Sequence, residues 1–165
     1  MKNPVYKIEG IIIKKAGLGE MDRLLTIYSR EHGKIQVRAK SVRKAESKLK
    51  GFLELFTHSI FLLAHSKTID IVTGVEPINI FPHLRSNLNL VNRSFNIVGL
   101  INRLVVAPER DESLWQLILQ TFQSLDGGAG GADFEERLLE VLGYGNLADR
   151  EEQSSLEFIN SRLNY

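Results

Sequence analysis

The chain contains no cysteine among its 165 residues. This absence excludes disulfide bonds, thiolate zinc sites, iron–sulfur clusters and cysteine nucleophiles at once. A metal ion would need histidine and carboxylate ligands, but the four histidines, His32, His58, His65 and His83, lack the spacing of a metal-binding motif. We therefore predict no metal and no cofactor, and we interpret each histidine as an ordinary surface or turn residue.

Long apolar runs are also missing. No stretch approaches the roughly 20 apolar residues that span a bilayer. The N-terminal segment lacks the apolar region and the small-residue cleavage site of a secretion signal. We expect no membrane partner and a cytoplasmic location.

Catalytic motifs are absent as well. The sequence has no phosphate-binding loop of the form G-x-x-x-x-G-K-[S/T] and no G-x-S-x-G nucleophile turn. The pair Gly17 and Gly19 alone is too common in proteins to indicate a nucleotide site. We therefore predict that the protein is not an enzyme.

The charges that are present divide unevenly along the chain. Residues 1–80 carry fourteen Lys and Arg against eight Asp and Glu, whereas residues 81–165 carry seven against twelve. The formal net charge of +1 therefore hides halves of about +6 and −5. This division is typical of a nucleic-acid-binding module joined to an acidic helical module, although a dipolar single domain would show it too.

The first half has the pattern of β-strands. Five runs rich in β-branched and aromatic residues, without a helical period, are separated by turns. The turn at residues 31–33 predicts a hairpin between the second and third runs. Five short strands in about eighty residues favour a small closed or nearly closed barrel. The predicted strands cover residues 5–15, 23–28, 34–40, 56–64 and 68–75.

The second half has the spacing of α-helices. Apolar residues recur every three or four positions from Leu84 to Val105, which predicts one long and largely buried helix. Aspartates at helix-capping spacing predict three further helices. These helices are predicted to start at Asp111, Asp133 and Asp149.

These patterns together predict the fold class and its division. The glycine-rich segment 126–131 is interpreted as a flexible connector, because glycine loses the most entropy on ordering and has no side chain to pack. We predict an α+β protein, with a five-stranded barrel in residues 1–80 and a small all-α domain in residues 81–165.

The third predicted strand carries a cationic face. Successive side chains of a strand point to opposite sides, so Ile35, Val37 and Ala39 are expected to face the core. Lys34, Arg38 and Lys40 then line the outer side. The following residues, 41–50, add four Lys and Arg against a single Glu. Such a strip attracts a polyanion, because binding releases condensed counterions.

We interpret this strip as a candidate nucleic-acid interface. For its lysines and arginines the alternative is a solvated face, and for Tyr28, the candidate base-stacking ring, the alternative is a core position. The loop is expected to fold over a bound strand. The candidate binding residues are Lys14, Lys15, Arg23, Tyr28, Lys34, Arg38, Lys40, Arg43, Lys44, Lys48 and Lys50.

Two other functions stay open on these residues. The barrel would be a protein-interaction adaptor if the strip pairs with an acidic partner instead of DNA. It would be an RNA-binding module if the protein recognises the 2′-hydroxyl, which the sequence does not reveal.

Several segments in a fixed order resemble the RecO family of bacterial DNA-repair and recombination mediators. The similarity runs from about residue 5 to about residue 147, and its order and spacing make it specific. The segments are Glu9-Gly10, G-L-G-E-M-D-R-L-L-T at 17–26, His32-Gly33-Lys34, Ala39-Lys40 with Arg43, Phe56-Thr57, and F-E-E-R-L-L-E-V-L-G-Y at 134–144.

The resemblance implies an N-terminal OB-fold barrel followed by a helical domain. Family members bind single- and double-stranded DNA, anneal complementary strands, and work with RecR to load the recombinase RecA onto strands covered by single-strand-binding protein. The resemblance thus implies DNA and RecR as partners, single-strand-binding protein as a further one, and a nucleoid-associated place in the bacterial cytoplasm. Arg23, in the shared motif, is open to two roles, either contacting phosphate or pairing with carboxylates.

The chain also departs from the family pattern. Many relatives carry a four-cysteine zinc knuckle after the L-G-Y segment, whereas this chain has N-L-A-D-R-E-E-Q at residues 146–153 and no cysteine. We therefore expect a member without the zinc site and with a shortened helical domain.

Overall fold

The computed structural model describes residues 4–41, 49–106 and 108–144. Within them the chain forms two compact units, one made of residues 4–81 with 108–111 and the other of residues 82–106 with 112–144. The first unit contains all the described strands and the second contains all the described α-helices. This arrangement confirms the predicted α+β class. The first unit also receives a short later segment, 108–111, which the division predicted from sequence does not include.

The first unit is a closed barrel of five strands. Their order around the barrel is β1-β2-β3-β5-β4, with antiparallel neighbours except for one parallel closure between β3 and β5. The closed barrel predicted from the strand pattern is confirmed, and a five-stranded barrel of this kind is an OB fold, as the resemblance implies. The strands are β1 (Val5–Leu18), β2 (Asp22–Ser29), β3 (Gly33–Ala39), β4 (His58–Ala64) and β5 (Ile71–Asn79).

The hairpin between β2 and β3 sets the register of the cationic strand. Tyr28 lies opposite Lys34 in this pairing. The hydroxyl of Ser29 accepts a hydrogen bond from the backbone N–H of His32 and donates one to the carbonyl of Gly33. Gly33 has a φ of 65°, a left-handed conformation that favours glycine, and a Cβ here would collide with the backbone of Glu109. The predicted hairpin is therefore confirmed and is fixed by its turn chemistry.

The fifth strand begins later than predicted. The sequence pattern places its start at Thr68, whereas β5 begins at Ile71. The Asp70 side chain accepts a hydrogen bond from the backbone N–H of Ser66, at 3.1 Å, and so closes a turn just before the strand. An aspartate that bonds to nearby backbone competes with strand pairing.

The inside of the barrel is filled by apolar side chains from all five strands. Val37 and Ala39 are buried there, as the alternation in β3 predicts. A single 3₁₀ turn, Lys50–Phe52, precedes Leu53, which also joins the core. The other buried members of this cluster are Ile8, Ile12, Leu25, Ile27, Phe61, Leu63 and Val72.

The second unit consists of four described helices. They are α1 (Pro82–Arg85), α2 (Leu88–Leu104), α3 (Glu112–Asp126) and α4 (Phe134–Val141). The long helix predicted from Leu84 is thus broken after its first turn. Asn87 causes the break, because its side chain accepts from the N–H groups of Asn89 and Leu90 and caps a new helix. None of the helices in the described part of the chain is long and apolar enough to cross a membrane.

Two predicted helix starts agree with the structure, and a third lies outside the described residues. Helix α3 begins directly after Asp111 and helix α4 directly after Asp133. The Asp133 side chain makes no capping hydrogen bond, however. The predicted start at Asp149 is not among the residues that the structure describes.

The glycine-rich segment 126–131 is a structured turn, so its interpretation as a flexible connector is wrong. Arg93 donates from Nε to the carbonyl of Gly130, at 3.0 Å, and from Nη2 to that of Gly131, at 2.6 Å. The same guanidinium forms a salt bridge with Glu135. Glycine composition indicated freedom of the backbone, but it could not reveal an arginine from another helix that binds the exposed carbonyls.

Candidate nucleic-acid interface

The outer face of β3 carries the cations that the sequence assigned to it. Lys34 and Arg38 alternate with the buried Val37 and Ala39, and Lys40 follows the strand as an exposed residue. Gln36 is exposed between them. The strand therefore separates its polar side chains from the barrel core as alternation requires.

Arg38 does not point freely into solvent, because it pairs with Asp22 on the neighbouring strand. Its Nε donates to Oδ2 of Asp22 at 2.8 Å, and its Nη2 donates to the same oxygen. The other oxygen, Oδ1, accepts from the backbone N–H of Ser41 at 2.7 Å. These hydrogen bonds, from Ser41 first and then from Arg38, hold the pKa of the Asp22 carboxyl below its usual range. The carboxylate thus links Arg38 to the start of the basic loop.

Register brings Lys14 onto the same face as Lys34 and Arg38. Lys14 lies opposite Thr26 in β2, and Thr26 lies opposite Gln36 in β3, so all three side chains share one side of the sheet. Lys14 is exposed, and within the described part of the chain no carboxylate forms a salt bridge with it. We call the residues Lys14, Lys34, Arg38 and Lys40 the cationic face.

Electrostatic coupling between Lys14 and Lys34 supports this placement. Partial burial lowers the pKa of the Lys34 ammonium, and the positive charge of Lys14 lowers it further. Two like charges that disfavour each other are both stabilised when an anion binds beside them. The pair is therefore the strongest candidate anion site in the cationic face.

Lys15 and Arg23 do not join the cationic face. Lys15 lies opposite Leu25, and Arg23 lies opposite Ala39, so both belong to the other side of the sheet. Lys15 forms a salt bridge with Glu54, with 2.5 Å between Nζ and Oε2. Arg23 makes no salt bridge among the described residues, and it is Arg38 that pairs with Asp22. Their assignment to one continuous interface does not fit this register.

Tyr28 is buried, so it cannot offer its ring to a base. Its side chain is 0% exposed. Burial raises the pKa of the Tyr28 hydroxyl, and the negative charge of Asp111 raises it further. The sequence left open whether Tyr28 stacks on a base or lies at a core position. Its burial fits a core position and does not fit the stacking role.

The remaining candidates come from the basic loop. Arg43, Lys44 and Lys48 lie outside the described residues, as does the side chain of Lys50. The described residue nearest after them with an exposed ring is Phe52, which is 45% exposed. The expectation that this loop folds over DNA therefore stays a prediction.

One histidine was misassigned from sequence. His58 is buried, and its Nε2 lies 2.8 Å from Oε2 of Glu9 on the adjacent strand. The interpretation of every histidine as a surface or turn residue is therefore wrong for His58. Its position at the start of a strand, directly before Ser59 and Ile60, was the available signal. No group of three or more His, Asp or Glu among the residues described here could hold a metal ion.

A second group that the sequence reasoning missed lies at one end of the barrel. The rings of Tyr6 and His65 stack, and the Tyr6 hydroxyl donates a hydrogen bond to the carboxylate of Asp70. Burial, and then this hydrogen bond to Asp70, raise the pKa of Tyr6. No sequence spacing signals the group, since its members come from β1 and from the β4–β5 connection.

The barrel and the helices after it define a protein with an OB-fold unit and an all-α unit. Residues 1–81 match the family described as "Recombination protein O N terminal". Relatives with the name "DNA repair protein RecO" match most of the chain. The relative from Roseiflexus sp. (strain RS-1) is 35% identical over 148 residues, which is 87% of this chain and 52% of the relative.

Two further relatives give a similar result. The protein from Pelotomaculum thermopropionicum is 34% identical over 149 residues, covering 88% of this chain and 58% of the relative. The protein from Dehalococcoides mccartyi (strain ATCC BAA-2266 / KCTC 15142 / 195) is 39% identical over 143 residues, covering 84% of this chain and 56% of the relative. Residues 1–81 therefore belong to this RecO N-terminal family, and the chain is similar over most of its length to proteins named DNA repair protein RecO. It spans about half the length of the curated relatives it matches.

Proposed function

We propose that this protein is a non-enzymatic DNA-binding mediator of repair and recombination. The observation that carries the proposal is the cationic face, in which Lys14, Lys34 and Arg38 from two strands share the outer side of the barrel. In OB folds the face of the second and third strands is where oligonucleotides bind. The name of the relatives, DNA repair protein RecO, supports the same role.

The proposed binding is electrostatic and independent of sequence. Phosphates approach Lys14 and Lys34, relieve the repulsion between the two ammonium groups, and release counterions from the DNA. Arg38 offers a planar guanidinium that suits phosphate as well as carboxylate, so a phosphate competes with Asp22 for it. Contacts of this kind position the strand without reading bases.

The family relationship extends the proposal to partners and to the biological process. On this proposal the protein binds single- and double-stranded DNA, promotes annealing of complementary strands, and acts with RecR in loading RecA onto strands covered by single-strand-binding protein. The acidic helical unit is the part proposed to dock protein partners. This role places the protein with the nucleoid in the bacterial cytoplasm.

A competition experiment separates this proposal from its rivals. Fluorescence anisotropy of a labelled single-stranded DNA is measured with unlabelled single-stranded DNA, duplex DNA, matched RNA and a strongly acidic protein as competitors. The proposal expects both DNA forms to compete efficiently at moderate salt. Competition by the acidic protein without direct DNA binding would indicate an adaptor, and a clear preference for RNA would indicate an RNA-binding module.

Annealing is tested on the same protein with matched variants. The double variant Lys14→Glu/Lys34→Glu is expected to lose acceleration of annealing between complementary strands. The charge-reversal control Arg103→Glu, at an exposed position of α2, is expected to retain it. Equal annealing by both variants would contradict the assignment of the cationic face.

A further inference from the structure

Two aromatic rings lie stacked at the end of the barrel where β1 begins and β4 ends. The ring centroids of Tyr6 and His65 are 4.5 Å apart, with an angle of 24° between the ring planes. The ring of His32, in the β2–β3 turn, forms a T-shaped pair with that of Tyr6, with centroids 6.0 Å apart and planes at 84°. Three rings from three separate segments therefore converge on one place.

Hydrogen bonds hold this group in position. The Tyr6 hydroxyl donates to the Asp70 carboxylate, and Nδ1 of His65 lies 3.2 Å from the same carboxylate. The backbone N–H of His65 donates to the carbonyl of Pro4 at 3.0 Å. Asp70 also accepts from the Ser66 N–H, as described above. The rings are thus ordered before any ligand arrives, which lowers the entropy cost of binding to them.

The outermost ring of the stack is open to solvent. The side chain of His65 is 57% exposed, whereas Tyr6 beneath it is partly buried against the barrel core. One face of the imidazole is covered by Tyr6, so a base would stack on the opposite face. A flat, exposed and fixed ring is the feature on which an unpaired nucleobase stacks.

The position of the stack relates it to the cationic face. The carbonyl of Asp70 accepts a hydrogen bond from the backbone N–H of Arg38 at 2.9 Å, so the two sites meet across the closure of the barrel. The β4–β5 connection, which carries His65 and Asp70, is also a loop that contacts nucleic acid in OB folds. A backbone held at Arg38 could therefore place a base at His65.

We propose that His65, supported by Tyr6, is a stacking platform for one unpaired base of a single strand. This inference rests on the proposed DNA-binding function and adds a site that cations alone do not supply. The carboxylate of Asp70 beside the rings repels phosphate and leaves an uncharged base as the favoured occupant. Stacking of this kind tolerates any base, because every base has a flat π face.

The test compares two strands of equal length, one with thymine bases and one with abasic sites at every position. His65→Ala is expected to weaken binding of the thymine strand by roughly 5- to 150-fold, the range for loss of one stacked base, and to leave binding of the abasic strand unchanged. His65→Phe keeps a flat ring and is expected to restore thymine binding. His83→Ala, at an exposed histidine of α1, is the matched control and should bind both strands as the wild type does.

The possible results separate the platform from the proposed function. Equal affinity of wild type and His65→Ala for the thymine strand would overturn the platform, and so would equal losses on both strands, while DNA binding itself would stand. Absence of salt-sensitive binding of either strand to the wild type would overturn the proposed function and the platform with it. A strand with a single 2-aminopurine adds a second readout: the wild type should quench its fluorescence by stacking, and His65→Ala should not.

Discussion

Asp22 holds Arg38 and the backbone of Ser41 with the two oxygens of one carboxylate. The pair spans β2 and β3 on the side of the sheet where the cationic face lies. A phosphate of DNA must therefore compete with Asp22 for Arg38, because the guanidinium already donates its hydrogen bonds to that carboxylate. Asp22 therefore limits the affinity of the face while it orders the start of the basic loop.

Asp22→Asn is expected to tighten binding to single-stranded DNA. The amide keeps an acceptor for Ser41 and removes the negative charge beside Arg38, so a roughly 2- to 5-fold gain in affinity at low salt follows. One extra phosphate contact would steepen the salt slope by about 0.7. Asp133→Asn, which removes one exposed charge in the helical unit, is the control and should change neither quantity. A weaker or unchanged affinity in Asp22→Asn would contradict the competition.

The wild-type pair should not titrate near neutral pH. The pKa of Asp22 is lowered in the folded protein, so the stability gained from ionising it is fully present above the ordinary value of about 4 and is lost only as the pH falls through the lowered pKa. Any change in DNA affinity between pH 6 and pH 8 should therefore be the same in wild type and Asp22→Asn, when both are measured by anisotropy at constant ionic strength. A difference in DNA affinity between the two proteins that grows between pH 6 and pH 8 would contradict the lowered pKa of Asp22.

Lys14→Glu is expected to weaken binding of all DNA sequences alike, by about tenfold at moderate salt. The substitution removes one phosphate contact and places a carboxylate close to Lys34. The measurement is anisotropy with several strands of different sequence, and Arg103→Glu in α2 is the charge-matched control. A loss that depends on sequence would indicate base readout, and an equal loss in both variants would mean that only net charge matters.

Tyr28→Leu is expected to reduce stability without changing DNA affinity. Replacing a fully buried ring with a smaller side chain should lower the free energy of unfolding by about 2 kcal/mol. Urea unfolding followed by circular dichroism measures the free energy of unfolding. Anisotropy at a temperature where the variant is folded measures the DNA affinity. A stable variant with weakened DNA binding would show that the ring contacts DNA after all.

The salt bridge between Arg93 and Glu135 is expected to stabilise the helical unit. Arg93→Ala removes the donor to Gly130 and Gly131 and leaves Glu135 without its partner, so the free energy of unfolding should fall by about 3 kcal/mol. Arg137→Ala breaks only an exposed pair with Asp133, at 3.9 Å, and should cost less than about 1 kcal/mol.

The pH dependence of the stability of Glu135→Gln tests the same pair by changing the carboxylate instead of the arginine. Burial alone would raise the pKa of Glu135, but hydrogen bonding and the charge of Arg93 outweigh it and lower the pKa. The pair therefore contributes above the ordinary value of about 4.3 and is lost as the pH falls through the lowered pKa. Wild type and Glu135→Gln should differ in stability at pH 7, and the difference should shrink as the pH falls through the lowered pKa of Glu135. A stability difference that persists at acid pH would mean that packing, and not the ion pair, causes the difference.

The barrel was predictable because its signal is local and repeated. Alternation of apolar and polar residues in β3 fixed which side chains face the core, and the turn at residues 31–33 fixed the hairpin. The long helix was predicted in one piece because its apolar period continues through Ser86 and Asn87. The capping hydrogen bonds of Asn87 override that period.

The candidate site was only partly predictable for two physical reasons. Lys14 and Lys15 are neighbours in one strand and must face opposite sides, so a basic pair cannot join one face as a whole. The outer surface of a barrel is also not exposed to solvent everywhere. Tyr28 lies on that surface and is buried. Which carboxylates pair with the basic side chains, as Asp22 and Glu54 do, depends on the three-dimensional register of the chain. Composition does not reveal that register.

The central claim is that phosphates bind the cationic face, and a salt series tests it most directly. Affinity for a labelled single strand is measured by anisotropy across salt concentrations for the wild type and for Lys14→Glu/Lys34→Glu. The wild type should give a slope of log K against log salt of about −2 to −4, as three to five phosphate contacts require, and the double variant should be shallower by about 1.4. A wild-type slope near zero, or identical slopes for the two proteins, would contradict the account.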